Sequence, residues 1–146
     1  MNSPYGQITL FEDDGALVAI EWGGGPEPST SPLLGDAKMQ LDAYFDGRLK
    51  SFDLPLKPPG TPFQKDVWKR MIDIPYGFTA TYGEIARDMD SAPRAVGGAC
   101  ARNPIPIVIP CHRVVGANGK MVGYSGGGGV ETKRALLRLE GLEGMS

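Results

Sequence analysis

Apolar and polar positions alternate near the start of the chain: Ile8 and Leu10, then Leu17, Val18, Ile20 and Trp22, separated by Glu12, Asp13, Asp14 and Gly15. A period close to two, broken by an acidic turn ending in glycine, predicts two short strands in a β-hairpin or meander. Residues 23–32 are rich in glycine, proline and serine and read as a loop. The spacing then lengthens. Leu34, Met39, Leu41, Tyr44 and Phe45 recur at helical intervals over 33–45, and Asp46-Gly47 closes that helix. Phe52, Leu54 and Leu56 share one face of an extended segment, which Pro55, Pro58 and Pro59 mark as an edge and an exit. A boundary near 58–61 divides the chain into an amino-terminal unit, 1–60, and a carboxy-terminal unit, 61–146.

Thr61 as N-cap and Pro62 at the first helical position open a helix with an apolar stripe of Phe63, Val67, Trp68, Met71 and Ile72. A tight turn at 75–77 leads to a short helix over 81–88 and a second over 92–102. This pair resembles a helix-turn-helix, and on pattern alone an ordinary αα-hairpin is the stronger reading. The second helix is built from Ala92, Ala95, Gly97, Gly98, Ala99 and Ala101. Glycine costs about 1 kcal/mol relative to alanine inside a helix, so something must need this element thin. Close packing of another helix is one explanation; entry into a minor groove only about 6 Å wide is the other.

Towards the end, Asn118-Gly119 predicts a turn between short strands. Residues 126–129 are four glycines without a phosphate-loop pattern, and they read as a mobile lid. A last helix opens at Glu131 or Thr132. Its buried side is expected to be Leu136, Leu137 and Leu139, with Lys133, Arg134 and Arg138 on the surface or against phosphate. A small sheet with one helix, followed by a mainly helical unit, makes the fold class α+β.

With 146 residues, 41% hydrophobic and 22% charged, the chain fits one ordinary domain or two small ones. No run reaches membrane-spanning length. Two cysteines without a secretory signal pattern point to a reducing, cytoplasmic setting in which a thiol stays free. The net charge of −2 argues mildly against a nucleic-acid partner, but it conceals an asymmetry. Residues 1–61 carry four basic and nine acidic side chains, whereas 62–146 carry eleven basic and eight acidic. Within 91–138, seven basic residues face only Glu131. That basic half suits a polyanion.

It is also the half with a candidate nucleophile. The apolar, proline-punctuated run 105–110 delivers Cys111, then the only histidine, His112, then Arg113. A free thiol has a pKa of about 8.5 and needs a base or cation nearby to ionise at neutral pH. From spacing alone, a reactive thiol and a buried, inert one are equally good readings. If the segment is extended, Cys111 and His112 point to opposite faces, so a bridging water is the natural link. Cys100, mid-helix with no adjacent histidine, reads as packing. Arg113 reads as a structural cation.

The run Ile109-Pro110-Cys111-His112-Arg113-Val114-Val115-Gly116 resembles the active-site signature of the O6-alkylguanine-DNA alkyltransferases, and the similarity extends from about Thr61 to Gly141 and more loosely upstream. The resemblance implies a ribonuclease H-like amino-terminal unit, a helix-turn-helix and repair by stoichiometric transfer of an alkyl group from O6 of guanine to the protein's own cysteine. Transfer from O4 of thymine is left open. It makes Cys111 the acceptor, His112 its base through a water relay, Glu140 the carboxylate that orients the histidine, and Tyr82 a donor that helps guanine leave. Arg94 would fill the space of the flipped nucleotide, with Ala95, Gly97, Arg102 and Tyr82 against DNA. Val114, Tyr124 and Ser125 would line the base pocket, and Asn103 would tie the helix-turn-helix to the active-site loop. No cofactor is implied, and two cysteines and one histidine make no structural zinc site. The implied partner is double-stranded DNA containing O6-alkylguanine, bound by a monomer, with cooperativity along DNA left open. Two rivals are weaker: a cysteine hydrolase lacks an evident oxyanion hole, and a lesion sensor that transfers nothing would have replaced the cysteine.

Overall fold

In the computed structural model, residues 1–24, 31–120 and 129–142 are described. Tyr124, Ser125 and all but the last of the four glycines expected to form a lid fall outside them. The amino-terminal half holds β1 (Asn2–Ser3), β2 (Gly6–Asp13) and β3 (Ala16–Trp22), an antiparallel sheet in that order. Asp13 pairs with Ala16 across a two-residue loop, Asp14-Gly15, in which both residues have positive φ (51° and 76°). That geometry matches the strand twist, and an Asp-Gly pair adopts it at little cost. Helix α1 (Pro32–Phe45) is capped by Ser31, whose side chain accepts from the Leu34 N–H, and buries Leu34, Ala37, Leu41 and Tyr44. Met39, expected on that stripe, is 72% exposed because it lies off the 34–37–41–44 face.

The halves are joined by backbone as well as side chains. Leu17 donates to the Pro55 carbonyl and accepts from the Lys57 N–H, so the extended segment after α1 pairs with β3. Ile20 donates to Pro104 at 2.9 Å, which fastens the sheet to the entrance of the cysteine loop. One apolar core then runs through Ile8, Leu17, Ile20, Leu41 and Tyr44 into Val67, Trp68, Met71, Ile105, Ile107, Ile109 and Leu136.

In the carboxy-terminal half, α2 (Pro62–Ile72) begins with a full capping box between Thr61 and Gln64 and buries Val67, Trp68 and Met71. Phe63 and Ile72, the outer members of the expected stripe, are 37% and 45% exposed. The turn at 75–77 leads to β4 (Ala80–Thr81), α3 (Tyr82–Asp88), whose own capping box joins Thr81 to Glu84, and α4 (Pro93–Ala101). Strand β5 (Val114–Val115) pairs in parallel with β4, Ala80 opposite Val114 and Thr81 opposite Val115. Helix α5 (Val130–Leu139) starts one residue ahead of Glu131, behind Gly129 at φ 65°. No helix among the described residues is long and apolar enough to cross a membrane.

Candidate active site

The loop that carries Cys111 is held by Asn103. Its amide nitrogen donates to the Ile109 carbonyl at 2.8 Å, and its oxygen accepts from the Ile105 N–H at 3.0 Å. These bonds bracket a five-residue loop that Ile109 N–H to Ile105 carbonyl also closes. Inside the bracket Ile107 has φ 74°, and Val108 donates back across it to Pro106. A β-branched residue in that region is strained by about 1–3 kcal/mol. Complete burial of the Ile105, Ile107 and Ile109 side chains offsets this, at roughly 1.5–3 kcal/mol each.

The chain is not extended through the nucleophile. Cys111 donates to the Ile109 carbonyl around Pro110, and Cys111–Arg113 forms a 3-10 turn before β5. The expectation of an extended segment fails because Pro110, at φ −82° and ψ 69°, bends the backbone just before the cysteine. His112 Nε2 lies 2.7 Å from Glu140 Oε2, and Nδ1 is buried without a protein partner, so neither ring nitrogen bonds to Cys111.

Glu140 is the hub. Its Oε1 accepts from Arg113 Nε (2.8 Å), and its Oε2 accepts from Arg113 Nη2 (3.0 Å), His112 Nε2 (2.7 Å) and the Tyr44 hydroxyl (2.6 Å). Arg113 completes its fork by donating to the Ile74 carbonyl at 2.7 Å. Burial alone would raise the Glu140 pKa; hydrogen bonds from His112, Arg113 and Tyr44 outweigh it and hold the carboxylate well below the usual range. An ionised carboxylate can only accept, so the His112 proton sits on Nε2 and the lone pair on Nδ1. Burial, only partly opposed by Glu140, keeps His112 below its ordinary value and therefore neutral at pH 7.

Cys111 is partly exposed, while Cys100 is buried. Burial raises both thiols. At Cys100, which meets Met71 Sδ at 3.4 Å, little opposes the rise and the thiol is pushed up to about 12. At Cys111 the Asn103 amide, Lys133 and the N–H groups of Cys111 and His112 all favour the thiolate. Tyr82 begins α3 beside this site because β4 pairs with β5. Burial, then the nearness of Cys100 and Cys111, raises its phenol, which stays protonated. Val114 is buried in β5.

Lys133 overturns its expected place. It is fully buried, with Nζ 5.7 Å from the Tyr82 ring centroid, and burial lowers its pKa to about 8 against the pull of Cys111 and Cys100. It stands on the same face as Leu136, Leu137 and Glu140, three, four and seven residues on.

Helix α4 is two-sided. Val96, Ala99 and Cys100 are buried, and the Trp68 indole N–H donates to the Ala99 carbonyl at 2.8 Å. Arg94, Ala95, Gly98, Ala101 and Arg102 are exposed, with Gly97 half-buried. A Cβ built on Gly97 or Gly98 meets nothing within 4 Å. No neighbouring helix of the described chain therefore requires either glycine.

The model of the 6-O-methylguanine DNA methyltransferase DNA binding domain matches residues 62–142, and that of the ribonuclease-like domain of the same methyltransferase matches 1–58. The chain belongs to the 6-O-methylguanine DNA methyltransferase family. The methylated-DNA--protein-cysteine methyltransferase of Methanosarcina acetivorans is 48% identical over 149 residues, 95% of this chain and 94% of that protein. The one from Methanosarcina mazei is 57% identical over 135 residues, 91% and 81% of the two chains. A crystal structure of Mycobacterium tuberculosis OGT in complex with DNA is similar at TM-score 0.84 and 44% identity, covering 96% of this chain and 89% of that one. The α+β architecture expected from the sequence is that of this methyltransferase family.

Two residues of the site escaped the sequence reading. Tyr44 was visible only as a core aromatic, although a phenol on a buried stripe must find a polar partner. The charge of Lys133 suggests the surface, whereas the leucine spacing places it on the buried face. Among the described residues no group of three or more His, Cys, Asp or Glu is placed to hold a metal.

Proposed function

We propose that this protein repairs double-stranded DNA by moving the alkyl group from O6 of guanine to Cys111, once per molecule. The observation that carries the reading is the asymmetry of His112: Nε2 is committed to Glu140, and Nδ1 is an unpartnered acceptor on the residue next to Cys111, which is itself only partly buried. Through one water, Nδ1 takes the Cys111 proton. The sulfur attacks the alkyl carbon in line, an S–C bond forms, the C–O6 bond breaks, and guanine leaves with the electron pair and is protonated. Tyr82, held as a phenol, is suited to supply that proton and regain one from the relay. Nothing in the site reverses a thioether, so the product is a spent protein.

The base is reached by flipping, at a cost of a few kcal/mol that a damaged pair reduces. Helix α4 enters the minor groove, Arg94 fills the vacated stack, Ala95 and Gly97 allow close approach, and Arg102 neutralises phosphate. Val114, Tyr124 and Ser125 line the base pocket, and Asn103 fixes the loop that carries the nucleophile. The protein works as a monomer in the cytoplasm, its two family domains meeting near residue 60. Intact-mass measurement after incubation with an O6-methylguanine duplex is expected to show one methyl increment, mapped to Cys111 and absent from Cys111→Ala. An increment on Cys100, or none on the wild type, overturns the reading.

A further inference from the structure

We propose that Tyr44, contributed by α1 of the amino-terminal half, is a positioning residue that sets the basicity of His112 through Glu140. The proposal deepens the reaction above and rests on it for its kinetic consequence. Its structural basis is independent of it. The Tyr44 hydroxyl donates to Glu140 Oε2 at 2.6 Å, the same oxygen that accepts from His112 Nε2, and stands 3.4 Å from that nitrogen. The ring is completely buried and fixed on three sides, edge-on to Phe45 and Tyr76 (centroids 5.6 and 6.3 Å) and tilted against Phe52 (5.3 Å). Such a ring fixes the position of its hydroxyl oxygen beside Glu140, so the donor is preorganised. Tyr44 is also distant in sequence, 68 residues from His112 and 96 from Glu140. The carboxyl hub of one half is therefore completed by a side chain of the other.

Glu140 Oε2 shares its charge among three donors. Removing the phenol leaves more of that charge for the His112 Nε2–H, which favours the imidazolium and raises the histidine's pKa. Because His112 accepts the thiol proton only when neutral, the acid limb of the transfer rate then moves to higher pH. The other titratable or charged groups around the cluster are Arg113 and Cys111 of the 3-10 turn, Lys133 of α5, Tyr76 after α2 and Tyr5 before β2. Arg113 already bonds both oxygens and the Tyr76 hydroxyl donates to the Leu139 carbonyl, so neither is free to take the hydroxyl's place on Oε2.

The chain has a single histidine, so an untagged, 15N-histidine-labelled protein gives one imidazole to follow. Tyr44→Phe keeps the packed ring and deletes only the donor. Its His112 titration midpoint is expected about half a pH unit or more above that of the wild type, with an equal upward shift in the acid limb of methyl transfer. Tyr44→Leu is expected to show the same direction, which separates the missing donor from the ring and serves if either variant folds poorly. Tyr76→Phe, which removes a nearby phenol not bonded to Glu140, is expected to leave the midpoint in place. A Tyr44→Phe midpoint on top of the wild type, or an equal shift in Tyr76→Phe, overturns the proposal. Failure of the wild type to accept a methyl group counts against the reaction instead, because the His112 titration reads the Tyr44 contact without it.

Discussion

The Glu140 cluster and the outer face of α4 are built on opposite principles. Around Glu140 both carboxylate oxygens are occupied by donors from α1 and the 3-10 turn, and the charge is buried. On the outer face of α4, two glycines look onto open space beside two exposed arginines. In the first region both carboxylate oxygens are satisfied from within the described chain, and that arrangement fixes where the His112 proton sits. The second gains nothing from the rest of the described chain for the helix propensity it gives up. Damage to the cluster should therefore appear in stability and in every substrate, whereas damage to the outer face should appear only on duplex DNA.

The sharpest attempt to break this contrast is Glu140→Gln. Removing the carboxylate leaves the Arg113 guanidinium buried without its countercharge, and losses of about 3–5 kcal/mol follow when one partner of a buried pair is deleted. Urea unfolding should show that loss, and transfer from free O6-benzylguanine and from duplex DNA should slow alike. A variant as stable as the wild type would place the weight of the fold elsewhere.

Acid tests the same region without a mutation. His112 is held below its ordinary pKa, so below about pH 6.5 the unfolded chain binds a proton that the native state resists. Glu140 is held low as well, so below about pH 4.5 its unfolded carboxylate takes up a proton before the folded one does. Both effects make stability fall as pH falls. Denaturation midpoints should decline in two stages, beginning near 6.5 and steepening near 4.5, and the second stage should shrink in Glu140→Gln. Midpoints flat down to pH 4 would contradict both assignments.

These two regions also differ in how far the sequence discloses them. The outer face of α4 can be read directly, since glycines and alanines announce a thin helix and Arg94 stands at its head. Likewise Thr61-Pro62, Thr81 with Glu84, and Asp14-Gly15 are local signals with local causes, and the helices and hairpin they imply are present. The cluster is harder because its members come from positions 44, 112, 113 and 140. No spacing rule links Tyr44 to Glu140, and only the packing of α1 against the cysteine loop brings them together. Lys133 repeats the Leu136–Leu137 face, so its burial is legible in the periodicity although its charge points the other way. The bend at Pro110 needs two successive tight turns, and neither has a composition signal.

Arg94→Ala should separate chemistry from access. Arg94 is exposed at the head of α4, away from the Glu140 hub, so unfolding free energy should change by no more than about 0.5 kcal/mol. Free O6-benzylguanine needs no flipping and should react at nearly the wild-type rate. On duplex DNA the loss of a charge and a wedge should slow transfer roughly tenfold, corresponding to about 1.4 kcal/mol of the flipping cost. Equal losses on both substrates would mean that Arg94 serves the thiol site, and the division between the two regions would fail.

The smallest expected effect is the most discriminating because its two halves have opposite signs. Gly98 lies in the helical interior of α4, exposed, and an added Cβ would touch nothing within 4 Å. Replacing it by alanine lowers the entropy lost on folding without creating a clash, so Gly98→Ala should stabilise the free protein by about 0.5–1 kcal/mol. If the thin face exists to approach DNA closely, the same methyl group stands between helix and groove. Duplex binding, measured at fixed salt, should weaken by about twofold to fivefold while reaction with the free base is unchanged. A variant that is more stable and binds duplex as tightly as the wild type would show that the glycine keeps no space for DNA. A variant that is less stable would show that α4 is not a regular, open-faced helix.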